Sequence, residues 1–192
     1  MPVKTLSVHE AILTRRSIAQ LALPVPDAGV LSRVFEAAGS APDHRLLRPW
    51  RYLTIQGDAL TALGELFYQA MAEANPERAE QEQNKLRQMP LRAPMIIVAI
   101  LKRQDQAKVP DWEQWLSLGA SVQNLLLTLH AEGFAAMWRT GDLTGLSAVK
   151  QGLELTESEE IGGFIYVGTA AGTKAAPARA ESLFAAWTGV RP

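Results

Sequence analysis

Apolar and polar positions alternate along this chain with two periods, and the changes of period mark its elements. Ser7 reads as an N-cap for a first helix through Arg15, with Val8, Ile12 and Leu13 on one face. Pro24 and Pro26 mark an extended connection, after which Asp27 caps a second helix whose stripe is Val30, Leu31, Val34, Phe35 and Ala38. A loop from Gly39 to Pro49 precedes the alternating strand Trp50-Arg51-Tyr52-Leu53-Thr54-Ile55, ended by Gly57-Asp58. Residues 58 to about 88 carry a helical pattern interrupted at Asn75-Pro76, with an apolar first half and a charged second half. That charged tail suggests a mobile flap or a solvent-facing excursion.

The run Met95-Ile96-Ile97-Val98-Ala99-Ile100-Leu101 predicts a strand buried on both faces. Glu113 to Glu132 is the strongest helix, nearly apolar all round from Leu118 to Leu129, and predicts a buried central helix stopped by Gly133. Phe134 to Trp138 reads as a short strand, Ser147 to Leu153 as a short helix, and Ile161 to Gly168 as the last strand. The tail beyond is rich in Ala, Gly and Pro. No repeat is visible, and strands separated by helices of different lengths predict one α+β domain over residues 1–192.

Composition narrows the class. The chain has 192 residues, 47% apolar and 20% charged, enough for a sizeable core in one domain. A formal net charge of −1 argues against a general nucleic-acid binder, so any basic site must be local. There is no cysteine, which removes disulfides, thiolate metal ligands and a cysteine nucleophile. No apolar run reaches transmembrane length, and the first residues lack the apolar stretch of a signal peptide, so the expected location is the cytoplasm.

The candidate chemistry gathers in a few polar segments. Arg15-Arg16-Ser17, at the end of the first helix, offers two planar permanent cations and a hydroxyl, which suits a phosphate monoester. The same residues also suit a solvated helix C-terminus. Trp138-Arg139-Thr140-Gly141 sits where a strand ends, either as part of a binding site or as a core Trp before a turn. Gln123-Asn124 on the central helix need partners where buried, with bonds to neighbouring backbone the favoured reading.

His44 stands in the polar segment Ala41-Pro42-Asp43-His44-Arg45, but ligands for zinc are too few, and no Gly-x-Ser-x-Gly elbow supports a Ser-His-Asp triad. Neither a Gly-x-Gly-x-x-Gly nor a Walker loop occurs. What remains is a phosphate clamp without a protein nucleophile, a pattern suited to chemistry carried by a phosphorylated cofactor.

Taken in order, Arg15-Arg16-Ser17, Ala41-Pro42 with Pro49-Trp50, Gly119 to Asn124 with Leu125-Leu126-Leu127, Gly133-Phe134 and Trp138-Arg139 resemble the FMN-dependent nitroreductase family. Ala41-Pro42-Asp43-His44 and Val109-Pro110-Asp111-Trp112-Glu113 are most similar to its compact YdjA-like branch, and the resemblance spans roughly residues 7 to 170. It implies a nitroreductase-like fold, with a mostly antiparallel sheet packed by helices around the central helix. It also implies a homodimer with FMN at the subunit interface and an arm over residues 170–192 packing on the partner. NADH or NADPH would donate hydride through the flavin to a nitroaromatic, quinone or enone in a ping-pong cycle; relatives that dehalogenate, dehydrogenate or destroy flavin, or a non-catalytic flavin binder, are the alternatives.

By that resemblance Arg15, Arg16 and Ser17 hold the FMN phosphate and ribityl chain, and His44 approaches the flavin from the partner. Trp138, Arg139 and Thr140 line the other side of the cofactor, and Lys174 or Arg179 supplies a second phosphate cation. Ser40 counts among the cofactor residues, at a position where the compact branch places an arginine. The chain also departs from the family at Asp43, Leu46 and Arg48, where many members carry Ser, Asn and Gln that bond the flavin ring.

Overall fold

The computed structural model describes residues 6–105 and 108–175, together with Ala186, Trp187 and Gly189. Helix α1 (Val8–Thr14) opens with a capping box, in which the Ser7 side chain accepts from the Glu10 amide and the Glu10 carboxylate accepts from the Ser7 amide. Its buried residue is Ala11, whereas Val8 and Ile12 are open to solvent, so the apolar face read from the sequence does not meet the core of its own chain. Strand β1 (Leu21–Ala22) and helix α2 (Ala28–Gly39) follow, α2 capped by the Asp27 carboxylate on the Val30 amide.

Strand β2 (Trp50–Gln56) leads into α3 (Asp58–Ala74) and α4 (Pro76–Gln88), hinged at Asn75, whose side chain caps α4. The charged second half is not a flap. Ala79 and Leu86 are buried against α3, and the Arg87 guanidinium lies 3.6 Å from the centre of the Tyr68 ring while donating to Glu65. Gly64 permits this packing, because a Cβ there would stand 2.2 Å from the Arg87 carbonyl oxygen. A helix can therefore be charged along most of its length and still be fastened by one narrow apolar edge.

Strands β3 (Met95–Lys102), β4 (Ala135–Arg139) and β5 (Glu159–Ala170) complete a five-stranded sheet of order β1-β5-β3-β2, with β4 also paired to β5. Every named strand pair is antiparallel. Helix α5 (Asp111–Ala131) and the short α6 (Ser147–Gly152) stand between them in sequence.

Strand β3 is buried from Met95 to Leu101, as its β-branched run requires. Ile96, Val98 and Ile100 face α3, α4 and α6, where Leu60, Leu63, Phe67 and Leu86 pack. Met95, Ile97, Ala99 and Leu101 face α2 and α5, against Val34, Leu118, Val122, Leu125 and Leu129. Helix α5 is thus buried where it meets the sheet. Its opposite face is open in the single chain, with Trp112 and Leu116 61% and 65% exposed. Among its amides, Asn124 donates to the Ala37 carbonyl and Gln123 faces solvent.

No helix among the described residues is long and apolar enough to cross a membrane. Most of the expected arm over 170–192 lies outside the described residues.

Candidate active site

A cluster of positive charge lined by no carboxylate lies where α1 hands the chain to the sheet. Arg15 leaves the helix with extended backbone (φ −56°, ψ 133°), Ser17 forms a parallel bridge with Ala136, and the Ile18 amide donates to the Ala136 carbonyl at 3.2 Å. The two arginines then diverge in role. Arg16 Nη1 donates to the Leu13 and Arg15 carbonyls at 2.9 and 2.8 Å, closing the C-terminal turn of α1 as a cation should. The Arg15 guanidinium has no hydrogen-bond or ion-pair partner among the described residues.

Lys174, just past β5, brings Nζ to 3.4 Å from the Ser17 carbonyl oxygen. Arg15, Arg16, Ser17, Lys174 and Ala175 line one cavity of about 430 Å³, with no carboxylate among them. Arg179, the other cation considered after the last strand, lies outside the described residues.

A second cleft, about 280 Å³, is also lined by Arg15 and Arg16, together with Thr14, Leu126, His130, Phe134 and Ala136 among others. The Thr14 hydroxyl is 2.8 Å from His130 Nε2. Desolvation first, then the charges of Arg15 and Arg16, push the His130 imidazole below its ordinary value. In the sequence His130 is simply a histidine near the end of the central helix. A titratable group in the last turn of an otherwise apolar helix was the available signal, and its pairing with α1 was not legible.

Strand alternation separates three neighbours that stood together in the sequence. Because the Ala136 carbonyl points to the outer edge of β4, the backbone groups of Trp138 point there too, beyond the reach of β5. The Trp138 indole Nε1 donates to the Gly162 carbonyl at 3.1 Å. That carbonyl is presented by a bulge where the register between β3 and β5 shifts after Ala99. Gly163 has φ +143°, and a Cβ there would fall 2.2 Å from the indole nitrogen. Gly162-Gly163 read simply as strand in the sequence; the slot they leave for an indole needed the register.

Arg139 points to the opposite face of the sheet, its guanidinium 5.4 Å from the Tyr166 ring centre, with Nε buried and unpartnered among the described residues. Burial raises the Tyr166 phenol above its ordinary value, against the nearby charges of Arg139 and Arg92. Thr140 lies elsewhere again, lining a cavity of about 210 Å³ with Arg78, Glu82 and Asp142.

Ser40 and His44 are placed apart from the arginine cavity. The Ser40 hydroxyl donates to the Ala37 carbonyl, and Ser40 lines an apolar groove with Leu6, Val8, Asn124 and Leu127. His44 begins a short 3-10 turn and pairs through Nδ1 with Glu113 Oε2 at 2.6 Å, which fastens its loop to the start of α5. Asp43 holds the same loop from within, accepting the Arg48 amide at 2.5 Å, while Arg45, Leu46 and Arg48 adopt left-handed backbone. Among the described residues no cluster of His, Asp and Glu could hold a metal ion.

Comparisons with known proteins define the class. The model of the Nitroreductase family matches residues 12–169, and the chain belongs to that family. It is similar to the Escherichia coli (strain K12) protein named "Putative NAD(P)H nitroreductase YdjA", with 35% identity over 161 residues, covering 83% of this chain and 86% of that one. A Haemophilus influenzae protein named "Putative NAD(P)H nitroreductase" is 33% identical over 159 residues, covering 82% and 85%.

Among solved structures, a nitroreductase-like family protein from Bacillus cereus superposes with a TM-score of 0.77 at 20% identity, covering 92% of each chain. The FMN and NADPH-dependent nitroreductase NfnB from sphigopyxis sp. strain HMH gives 0.73 at 19% identity, over 96% of this chain and all of that one. These structures confirm the nitroreductase-like fold.

Proposed function

We propose that this chain is an FMN-dependent NAD(P)H oxidoreductase that works as a homodimer. The observation that carries the reading is the convergence of Arg15, Arg16, Ser17 and Lys174 on one cavity free of carboxylates, in a chain of this family. The donor set fits the cofactor: a phosphate monoester is a dianion that takes guanidinium, ammonium and hydroxyl donors together. Arg15 has its donors uncommitted, whereas Arg16 supplies charge while holding the helix end in place. The open backbone edge at Trp138 offers one N–H and one C=O to the polar rim of the flavin ring, and the Gly162 carbonyl fixes the indole beside that edge.

Bound FMN would supply hydride transfer, from NAD(P)H and then to a nitroaromatic, quinone or enone that takes its turn in the same pocket. The chain's own work is to grip, orient and exclude water, so no side-chain nucleophile is required. Arg139, on the far face of the sheet, is not placed to act with Trp138 within one subunit. Ser40 and His44 belong to the surface offered to a second copy, His44 held by Glu113 and aimed at the partner's cofactor.

The homodimer is supported by the apolar stripe left open on one chain, where Val8, Ile12, Trp112 and Leu116 are all more than half exposed. We take residues 1–192 as one domain, with 170–192 reaching over the partner, and the cytoplasm as its location because that is where NAD(P)H is supplied.

The test is direct. The purified protein should take up FMN and bleach on anaerobic addition of NADPH or NADH, and Arg15→Ala should lose the flavin. Tight stoichiometric FMN in that variant would sink the assignment of the clamp.

A further inference from the structure

His130 lines a cleft with both arginines, apart from the cavity that they share with Lys174. Its Nε2 is 2.8 Å from the Thr14 hydroxyl. Thr14 donates its own proton to the Glu10 carbonyl at 2.6 Å, so the hydroxyl receives from the imidazole and Nε2 carries hydrogen. The tautomer is thereby set, and Nδ1 is left as the position at which a proton can be gained.

The electrostatic surroundings of this imidazole are one-sided. From α1 it meets Arg15 and Arg16, while the Glu10 carboxylate on the same helix is taken by the Ser7 amide and hydroxyl. The start of β4 and the end of β5 contribute Phe134, Ala135, Ala136 and Ala170, which carry no charge. On its own helix, Glu132 is engaged by Arg33 of α2 through two hydrogen bonds of 2.8 Å. Burial first, and then the charges of Arg15 and Arg16, disfavour a proton on His130. A dianion against the same arginines offsets the second of these causes.

We propose that His130 is a proton-coupled positioning residue of the phosphate site: when Arg15 and Arg16 hold a phosphate dianion, His130 takes up a proton, which adds a third cation beside the clamp and tightens its grip. This rests on the FMN reading above, but its chemistry concerns any phosphate monoester at Arg15. The linkage has a definite sign. A group that binds its proton more tightly in the complex strengthens binding as the pH falls through its bound-state midpoint towards the lower midpoint of the free protein, by at most about tenfold per pH unit for one proton. The second ionisation of the phosphate itself, near about 6, works in the opposite direction, so a control lacking only the imidazole is needed.

His130→Gln is that control, because a glutamine amide can donate to Thr14 from nearly the Nε2 position but cannot gain a proton. Two measurements decide the matter on the full-length protein. The first follows the histidine ring signals by NMR through a pH titration, without ligand, with FMN and with inorganic phosphate, His130 being assigned from the variant. The second measures the FMN Kd of wild type and His130→Gln between about pH 8 and about pH 6, where histidine charge changes.

The proposal expects the His130 midpoint to rise with either ligand, and the Kd ratio of variant to wild type to grow several-fold towards acid. If FMN binds and depends on Arg15 while the His130 midpoint stays put, the proposal is overturned and the FMN reading stands. If FMN does not bind at all, the FMN reading fails. The phosphate titration then decides alone, a raised midpoint supporting the coupling and an unmoved one ending it.

Discussion

Arg51 on β2 and Glu159 at the start of β5 form the most buried ion pair described in this chain, and it sets up a prediction whose size can be worked out. Arg51 Nε and Nη2 donate to the two Glu159 oxygens at 2.5 and 2.8 Å, and the Thr156 amide adds a third hydrogen bond. The Arg51 guanidinium, aided by that amide, outweighs the cost of burial and holds the carboxyl down at about 2, against an ordinary 4.5. At about 1.4 kcal/mol per pH unit such a displacement corresponds to about 3 kcal/mol, or nearer 2 after allowing for water around the guanidinium.

Glu159 is 4% exposed and Arg51 33%, so the two halves of the pair are not equivalent. Arg51→Ala strands a buried carboxylate and should cost about 2–3 kcal/mol at neutral pH, about 5–10 °C in Tm for a domain of this size. Glu159→Gln leaves a guanidinium that reaches solvent and should cost about half as much. Because the folded value is depressed, the contribution of the pair is complete above about 4.5 and is lost as the pH falls from there towards about 2. In Arg51→Ala the carboxyl protonates easily, so its deficit against wild type should shrink on going from pH 7 to about pH 3. Urea denaturation at both pH values measures this. Equal stability of Arg51→Ala and wild type at pH 7, or a deficit of the same size at both, would refute the reasoning.

Other perturbations bear on the site and the assembly. Gly163→Ala should lower stability by about 2–3 kcal/mol and alter the Trp fluorescence, because its Cβ meets the Trp138 indole and φ +143° disfavours any side chain; an unchanged melt and spectrum would contradict the bulge-and-slot account. Asn75→Ala removes the cap of α4 and should cost about 1 kcal/mol in a chemical melt, an effect that a loosely attached flap would not show. Leu116→Glu, on the open stripe of α5, should yield monomers in light scattering at micromolar concentration while circular dichroism stays native; a dimer that survives it would remove that stripe from the interface.

Most elements were legible because their periods are strong. The apolar run from Met95 to Leu101 has no polar position at which one face could be wet, and so it becomes the strand covered on both sides. Ser7, Asp27 and Asn75-Pro76 mark helix starts because unsatisfied amides there take a side-chain oxygen. The charged stretch after Pro76 misled for the converse reason. Composition counts charges over the whole surface of a helix, whereas Ala79 and Leu86 are enough to dock its one inward edge.

The candidate site divides in the same way. Local chemistry alone marked Arg15-Arg16-Ser17 as suited to a phosphate, since guanidinium and hydroxyl donors are properties of residues. The residues alone could not say that Arg16 spends its donors on the helix end while Arg15 stays free, and only the family resemblance offered Lys174 or Arg179, of which Lys174 arrives beside Ser17 from more than a hundred residues away. Nor could they separate Trp138 from Arg139 across the sheet, or bring His130 up beside the arginines, because those follow from strand register and helix packing. The chain by itself determined which segments are helix, strand and turn, through short-range periodicity and capping. Only the tertiary structure decided which of its cations face one another without an opposing charge, because that depends on distances between segments that no local pattern encodes.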